Sequence, residues 1–495
     1  MMQRKSLRVR KSTQQVDYSY TDSSEEDMEE DTDGEQCNSM HTSQQQDTFQ
    51  LNTWFPLEED LFIEPLEFDG SGCGPLLDQN LTLLDVFCTF WDSTITERLL
   101  LSITASLQHT ASHTMVPLGD RLNANLLYAW IAVFLEMGQK QQNHTHHYWR
   151  GKNGNEFIKS SGVSKHDWNQ LFQQHFHKRC VSDEILLFIE EALNKNYRKH
   201  WKPFRKLSFD EMMVAFKGKS SHKVYDPSKP TRWGLKYYCL VDESHFLFWV
   251  KMHRKREVAE DQVTRNLVNT AMSSIPKDAG QYLLYADNYY ASEFLSDDLA
   301  KNGFGFTFTA RSNRSSSLFS LGNHKKLCGY NGIEKLACQA KETAVGEFVV
   351  ALSFKDKGKS PTNKKRKHNG SLVEDKLPIV AVDYSESMGN VDSYDSHMVR
   401  CKPKHRNMSW RRTAILAQLK TCVVNTWICW AYYNQGMKRP SLTLFIDELK
   451  DQLLQPFKLQ IKQEKAAKAV MLQHKRKLSN RIAAQEYRTR KKTRQ

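Results

Sequence analysis

None of the ten cysteines in this 495-residue chain stands in a C-x-x-C pair, and they scatter from Cys37 to Cys429 without the close spacing of a disulfide framework. The opening, MMQRKSLRVRK, also lacks the apolar stretch of a secretory leader, so a reducing compartment and free thiols are expected. No zinc is expected either. No cysteine follows Cys429, and His144, His146 and His147 have no cysteine nearby to complete four ligands, so they are read as loop decoration. Cys422 and Cys429, seven apart on one predicted helical face, are read as packed thiols. No apolar run reaches about 18 residues, and even LLYAWIAVFLEMG (126–138) is short and amphipathic, which argues against a membrane partner. The chain has no G-x-x-x-x-G-K-[ST] loop, so no ATP requirement is expected, and no motif supports a Ser/His/Asp nucleophile.

Basic charge, by contrast, is in surplus. The 70 Lys and Arg against 57 Asp and Glu leave +13, which favours polyanionic partners through counterion release and disfavours an acidic substrate mimic. With 39% hydrophobic and 11% aromatic residues the chain can bury a large core, and its length suits two or three domains plus tails. Residues 1–70 are expected to be a disordered acidic region. After Arg4, Lys5, Arg8, Arg10 and Lys11, no Lys or Arg occurs over 17–35, and Ser, Thr and Gln crowd the segment. Ser23 and Ser24 stand before Glu25, Glu26 and Asp27, a setting that acidophilic kinases favour and that a merely solvating acidic tail also produces.

Over 71–205, apolar residues recur at three and four positions, as in LTLLDVFCTFW and DEILLFIEEAL, which predicts a helical domain anchored by Trp91, Trp130, Trp149 and Trp168. After Pro203 the texture turns to strands: KLSFDEMMVAF, WGLKYYCLVD and FLFWVKMH, then a helix VTRNLVNTAMSSI, a strand QYLLYAD and a helix ASEFLSDDLAKNG. Three strands, a helix, a strand and a helix is the order of an RNase H-like α/β domain, placed here at 206–435. An insertion at about 312–377, of Ser-, Lys- and Gly-rich loops with one strand-like run, EFVVALSFK, interrupts it before a helical stretch from Asn390 to about Tyr433. A basic helical tail is expected over 436–495.

Two-metal phosphoryl chemistry needs acidic side chains from separate elements converging on one point, and carboxylate oxygens are matched to Mg²⁺ or Mn²⁺. Asp210 lies in the first predicted strand of the α/β region and Asp287 ends the fourth, positions that neighbour each other in an RNase H-like sheet. Asp392 and Asp395, three apart at the start of a predicted helix, share one face. Spacing leaves the plainer alternative open, since an Asp at a strand end also serves as a turn or cap.

The block LSFDEMMVAFKGK (207–219), followed by Tyr225-x-Pro227-x-Lys229-Pro230 and Trp233-Gly234-x-Lys236, resembles the most distinctive block of piggyBac transposases, whose "DE" pair carries the first catalytic carboxylate. ADNYYAS (286–292) resembles that family's "DNFYTS", TARSNR (309–314) its "GTxRxNR", and YSESMGNVDSYD (384–395) its "YNxxMGGVDxxD", with Asn390 where the family has Gly. Trp410 and Asn425 fall where the family has "KWW" and "NA" features, and the "MG…YW" of the helical domain matches as well. The resemblance covers about 76–430. It implies a DDE/D transposase with a helical dimerisation and DNA-binding domain, acting in the nucleus as a homodimer on double-stranded DNA. The implied activity is cleavage at transposon ends, hairpin formation and insertion at a TTAA target. Asp210, Asp287 and Asp392 would hold Mg²⁺ or Mn²⁺, with Asp395 assisting. A domesticated descendant that binds DNA or chromatin without catalysis is the alternative.

The final stretch, KRKLSNRIAAQEYRTRKKTRQ, resembles the basic region of bZIP factors in its order Asn480-x-x-Ala483-Ala484-x-x-Tyr487-Arg488. On that resemblance Lys475, Arg476, Lys477, Asn480, Arg481, Arg488, Arg490, Lys491 and Lys492 contact DNA. A nuclear-import and nonspecific phosphate-binding tail is the other reading, and it fits the same charges. Lys364, Lys365, Arg366 and Lys367 form a second basic cluster, read either as a nuclear signal or target-DNA contact or as a solvated loop.

Overall fold

The computed structural model describes residues 54–56, 68–110, 121–150, 154–175, 182–227, 229–254, 260–310, 327–330, 335–340, 349–354, 362–368, 371–377, 379–400, 409–434 and 441–492. Nearly all of the expected acidic region, with Ser23 and Ser24, and residues 311–314 of the TARSNR motif lie outside them.

The strands, in chain order, are β1 (Trp54–Pro56), β2 (Gly74–Pro75), β3 (Trp201–Lys202), β4 (Lys206–Ala215), β5 (Lys223–Tyr225), β6 (Trp233–Asp242), β7 (Leu247–Met252), β8 (Leu283–Ala286), β9 (Gly305–Ala310), β10 (Leu327–Tyr330), β11 (Lys335–Ala340), β12 (Val349–Phe354), β13 (Thr362–His368) and β14 (Ser371–Leu377). The main sheet runs β1-β10-β11-β12-β9-β8-β4-β6-β5, and β7 pairs with the other end of the same β6 edge. Its heart reads β7-β6-β4-β8-β9. β4 pairs parallel with β8, β8 parallel with β9, and β4 antiparallel with β6. β6 is buried along nearly its whole length and β4 along most of it, so successive residues, which point to opposite faces, are both covered, and the near-continuous apolar runs suit that double covering.

The expected succession of three strands, a helix, a strand and a helix is present as β4, β6, β7, helix Glu260–Ser273, β8 and helix Glu293–Lys301. The segment at 312–377 differs from expectation. It carries five strands, three of which extend the main sheet outward from β9 while β13 and β14 pair as a hairpin. The strand-like run EFVVALSFK is there as β12, whereas the polar β13 and β14 lack the apolar alternation that marks a half-buried strand, so their composition reads as loop. Lys364, Lys365, Arg366 and Lys367 all lie on β13.

Helices Leu83–Phe90, Ser93–Thr110, Ala124–Gln139 and Asp183–His200 form the layer expected before Pro203. Thr82, Asn123 and Ser182 start three of them by accepting a backbone N–H with their side chains. Of the expected anchors, Trp91, Trp130 and Trp168 are fully buried; Trp130 and Trp168 stack with centroids 4.9 Å apart. Trp149 is half-buried and donates its indole N–H to the Val163 carbonyl at 2.9 Å.

Three side chains, from helices Asp183–His200 and Trp410–Tyr433, fasten these two helices to the sheet by occupying the outer edge of β7. Asn194 exchanges two hydrogen bonds with the backbone of Val250, each 2.8 Å. Asn425, on helix Trp410–Tyr433, does the same with Leu247 at 3.1 and 2.9 Å, and Glu190 accepts from the Met252 N–H at 2.8 Å. They replace the missing neighbour strand, which ends the sheet and fixes how the helices lie on it. Cys422 and Cys429 are buried thiols on the same helix, as their spacing suggested. His144, His146 and His147 cluster around the turn Thr145–Tyr148 with ring centroids 4.3 to 5.6 Å apart.

The terminal helix spans Leu442–Lys492. Its first turns, through Leu442, Phe445, Ile446, Leu449, Leu453, Leu454 and Phe457, are buried against helix Ala124–Gln139 and its neighbours. Residues 462–486 are exposed throughout. Among the described residues no helix is long and apolar enough to cross a membrane.

Candidate active site

The parallel pairing of β4 and β8 ends with Phe209 beside Ala286, so the next residue on each strand is an aspartate: Asp210 on β4 and Asp287 just past β8. Sequence neighbours of the paired positions thus bring two carboxylates from separate segments to one end of the sheet. Asp287 is held in a turn, its carboxylate accepting the Tyr289 N–H at 2.9 Å and its carbonyl the Tyr290 N–H at 3.2 Å.

The third element is helix Asn390–Arg400, docked on β4 two residues before Asp210. Ser208 donates its hydroxyl to the Ser387 carbonyl, and Asn390 donates its amide to the Ser208 oxygen at 3.1 Å. Because Ser208 and Asp210 share a strand face, this anchor brings Asp392, in the first helical turn, and Asp395, one turn on, toward the same end. Helix Ile379–Ser387 is pinned beside it by Asp383, which pairs with Lys206 and accepts the Tyr285 hydroxyl.

Lys229 stands among these groups. Its ammonium lies 3.8 Å from Asp210 Oδ2 and 3.5 Å from the Glu211 carbonyl. Burial, which alone would lower the Lys229 pKa, is outweighed by Asp210, Asp392, Glu211 and Asp226, and the group is held above its ordinary value. Burial pushes Asp210 up to about 8 against the pull of Lys229, with Glu211 and Asp287 adding to the rise. Burial also raises Asp287, against its backbone hydrogen bond to Tyr289, and raises Asp395 to about 6 against the pull of Lys420. Glu211 behaves oppositely. Its burial is overcome by Lys236, 3.0 Å away, and by the Tyr290 hydroxyl, which donates at 2.5 Å, so its pKa is held below the ordinary value.

The four aspartates singled out in the sequence therefore lie within electrostatic reach of one ammonium. Among the described residues no three His, Cys, Asp or Glu side chains stand at the mutual spacing of a ready single-ion site. The donors nonetheless suit a hard divalent cation: all are carboxylate oxygens, and burial penalises the charge of three of them in a way that such an ion offsets. Sequence reasoning missed Lys229, Glu211, Lys236 and Tyr290 as members of this cluster. The first three were in view within the quoted block, and Lys229, set between Pro227 and Pro230, carried the one usable signal: a lysine on a stiffened loop. Of the tail residues, Lys475, Arg476, Lys477, Asn480 and Arg481 are exposed on the terminal helix, far along the chain from this cluster, and the backbone at Arg488, Arg490, Lys491 and Lys492 is helical.

Residues 83–427 match the family model described as Transposase IS4, which is most of the chain, and the protein belongs to that transposase family. Within it the chain is similar to piggyBac proteins. It is 22% identical over 244 residues to the human "PiggyBac transposable element-derived protein 3", an alignment covering 46% of this chain and 40% of that protein, so it spans less than half of that relative's length. Its fold resembles that of a piggyBac transposase solved by cryo-EM as a synaptic complex with hairpin DNA, with TM-score 0.63 and 17% identity over 78% of this chain and 83% of the other.

Proposed function

We propose that this protein is a piggyBac-like DNA transposase that cleaves and transfers DNA strands at TTAA sites with Mg²⁺ or Mn²⁺. The observation that carries the reading is the gathering of Asp210, Asp287, Asp392 and Asp395, from a strand, a turn and a helix, around one end of a sheet. The strand order β7-β6-β4-β8-β9, with β4, β8 and β9 parallel, supports an RNase H-like core. Asp210, Asp287 and Asp392 are the proposed metal ligands, and Asp395 positions Asp392 or completes the set.

Bound divalent ions supply charge for the attacking and leaving oxygens of an in-line displacement at phosphorus. The chain's own residues do the rest. The Tyr289 N–H fixes the direction of the Asp287 carboxylate, while Lys236 and Tyr290 hold Glu211 ionised and turned aside from the ligands. The Ser208–Asn390 contact sets the distance of Asp392 from Asp210. Double-stranded DNA, as transposon ends and TTAA target, is the proposed partner. The +13 charge and the exposed basic half of the terminal helix support this, as does a structural relative whose description includes hairpin DNA. Cutting two ends fits a homodimer, and the DNA substrate fits the nucleus.

Excision of an element with candidate terminal repeats, compared between wild type and Asp287→Asn, tests the reading. We expect Asp287→Asn to lose about 100-fold or more of the activity, as when a group that stabilises transition-state charge is removed. Equal excision by the two proteins, or none by wild type with Mg²⁺ or Mn²⁺ and the correct ends, would sink it in favour of a DNA- or chromatin-binding protein without catalysis.

A further inference from the structure

Lys229 is not an ordinary surface lysine. The loop that carries it is closed at its base, where the Asp226 N–H donates to the Arg232 carbonyl at 2.8 Å and the Phe216 N–H to the Trp233 carbonyl at 3.1 Å. The Tyr225 and Trp233 rings meet across it at 4.5 Å, tilted by 40°, and the Lys223 ammonium sits over the Trp233 ring at 4.7 Å. Pro227 and Pro230 restrict the backbone on either side of the lysine. The braced loop delivers one ammonium to the middle of β4, level with the end of β8, where its side chain is about three-quarters covered and lies 3.8 Å from Asp210. The charges of Asp210, Asp392, Glu211 and Asp226 all act on it, and its own charge is felt at Asp287 and Asp395.

We propose that Lys229 is a built-in counter-ion: it holds the carboxylates together before divalent metal enters and competes with that metal for them. This rests on the metal-binding reading of the four aspartates. A carboxylate cluster with no cation repels itself, and an ammonium about 4 Å away offsets that repulsion without the fixed geometry a metal demands. The same ammonium opposes an incoming divalent ion, because two like charges then compete for the same oxygens. Metal entry must therefore move the Lys229 side chain outward, and the flexible four-carbon stem on a rigid loop allows that motion. The device keeps the site assembled when empty and weakens its hold on metal.

The test is Mn²⁺ binding to the full-length, DNA-free chain, followed by the loss of the free-ion signal in electron paramagnetic resonance. Lys229→Met is expected to bind Mn²⁺ at least about tenfold more tightly than wild type, since a charge adjacent to the ion is gone. Lys229→Arg keeps the charge and should bind within about threefold of wild type, as should Lys223→Met, whose ammonium lies over Trp233 in the same loop. The melting temperature of Lys229→Met should fall without metal and recover with Mn²⁺. Should Lys229→Met lose its fold when metal-free, Lys229→Gln takes its place in the same titration. Affinity in the charge-free variants equal to or weaker than wild type overturns the proposal. Asp287→Asn separates the two readings. If it weakens Mn²⁺ binding while Lys229→Met matches wild type, only the counter-ion role fails; if it leaves binding unchanged, the metal site fails and the counter-ion role with it.

Discussion

Asn390 stands where the resembled family has glycine, and its side chain is buried and bonded to Ser208 at 3.1 Å. A glycine there would leave the helix beginning at Asn390 without that contact and would open space beneath it. Asn390→Gly is expected to cost about 1–3 kcal/mol, the range for removing one partner of a buried hydrogen bond. A urea denaturation midpoint indistinguishable from wild type would contradict this. The altered residue thus has a physical task, holding the helix of Asp392 and Asp395 at a set distance from Asp210. Asp242 shows the same economy away from the site. This buried carboxylate accepts hydrogen bonds from the Trp201 indole at 2.7 Å and from the Phe204 and Phe246 N–H groups, and its burial raises it to about 6 in spite of them.

Among the elements, β7 and the terminal helix make the clearest predictions. The β7 edge is satisfied by amides from two helices, so Asn425→Leu would strand both the N–H and the carbonyl of Leu247 in the interior. The expected loss is about 2–4 kcal/mol, the sum of two unsatisfied buried groups, read from chemical denaturation with backbone circular dichroism. A loss under about 0.5 kcal/mol would mean that the edge is satisfied some other way. The exposed part of the terminal helix is a row of solvated basic side chains attached to a buried root. If it grips DNA phosphates, deleting 475–495 should weaken binding and flatten the slope of log affinity against log salt by several units, at about 0.9 per contact. A weaker complex with the wild-type slope would assign the tail to something other than phosphate contacts. Both readings of the tail, groove reader and phosphate clamp, lose the same charges in this deletion, so a sequence-scrambled competitor is needed to tell them apart.

At the scale of the molecule, one continuous hydrophobic core runs from Leu83 through the sheet to Phe457, so the early helices, the α/β strands and the root of the terminal helix pack as one body. Buried charge fastens the last of these. Lys450 pairs with Glu136 and Asp447 and donates to Gln139 at 3.0 Å, and Glu136 also accepts from Asn155 at 2.6 Å. Burial opposes the charge of Glu136, but Lys450 and Asn155 outweigh it and hold its pKa below 4.5; Lys450 is held above 10.5 for the matching reason. A depressed acid stabilises the fold above its unfolded value and loses that contribution as pH falls through the folded one. A raised base contributes below its unfolded value and loses it as pH rises through the folded one. The docking should therefore be strongest between about pH 4.5 and 10.5 and loosen outside that window. Melting temperature against pH should show this, and Glu136→Gln with Lys450→Met should remove those two flanks; identical pH profiles for the two proteins would count against it.

How much of this was legible beforehand follows from the range of each interaction. Periodicity and caps are local, so the early helices, β4, β6, β7, β8 and the helices after β7 and β8 could be read from neighbouring residues. Asp210, Asp287, Asp392 and Asp395 stood in motifs that a family resemblance reaches. Of the strands over 327–377 only β12 was legible, as the apolar run EFVVALSFK; the short β10 and the polar β13 and β14 carry no apolar alternation to mark them. The clamp of Asn194 and Asn425 on β7, the seat of Asn390 on Ser208 and the place of Lys229 among the carboxylates each join residues tens to hundreds of positions apart. The sequence by itself determined which acids and bases this protein has and which local elements carry them. Only the tertiary structure decided which of them meet, because a strand register and a buried contact are set by how whole elements pack and not by any residue's own preference.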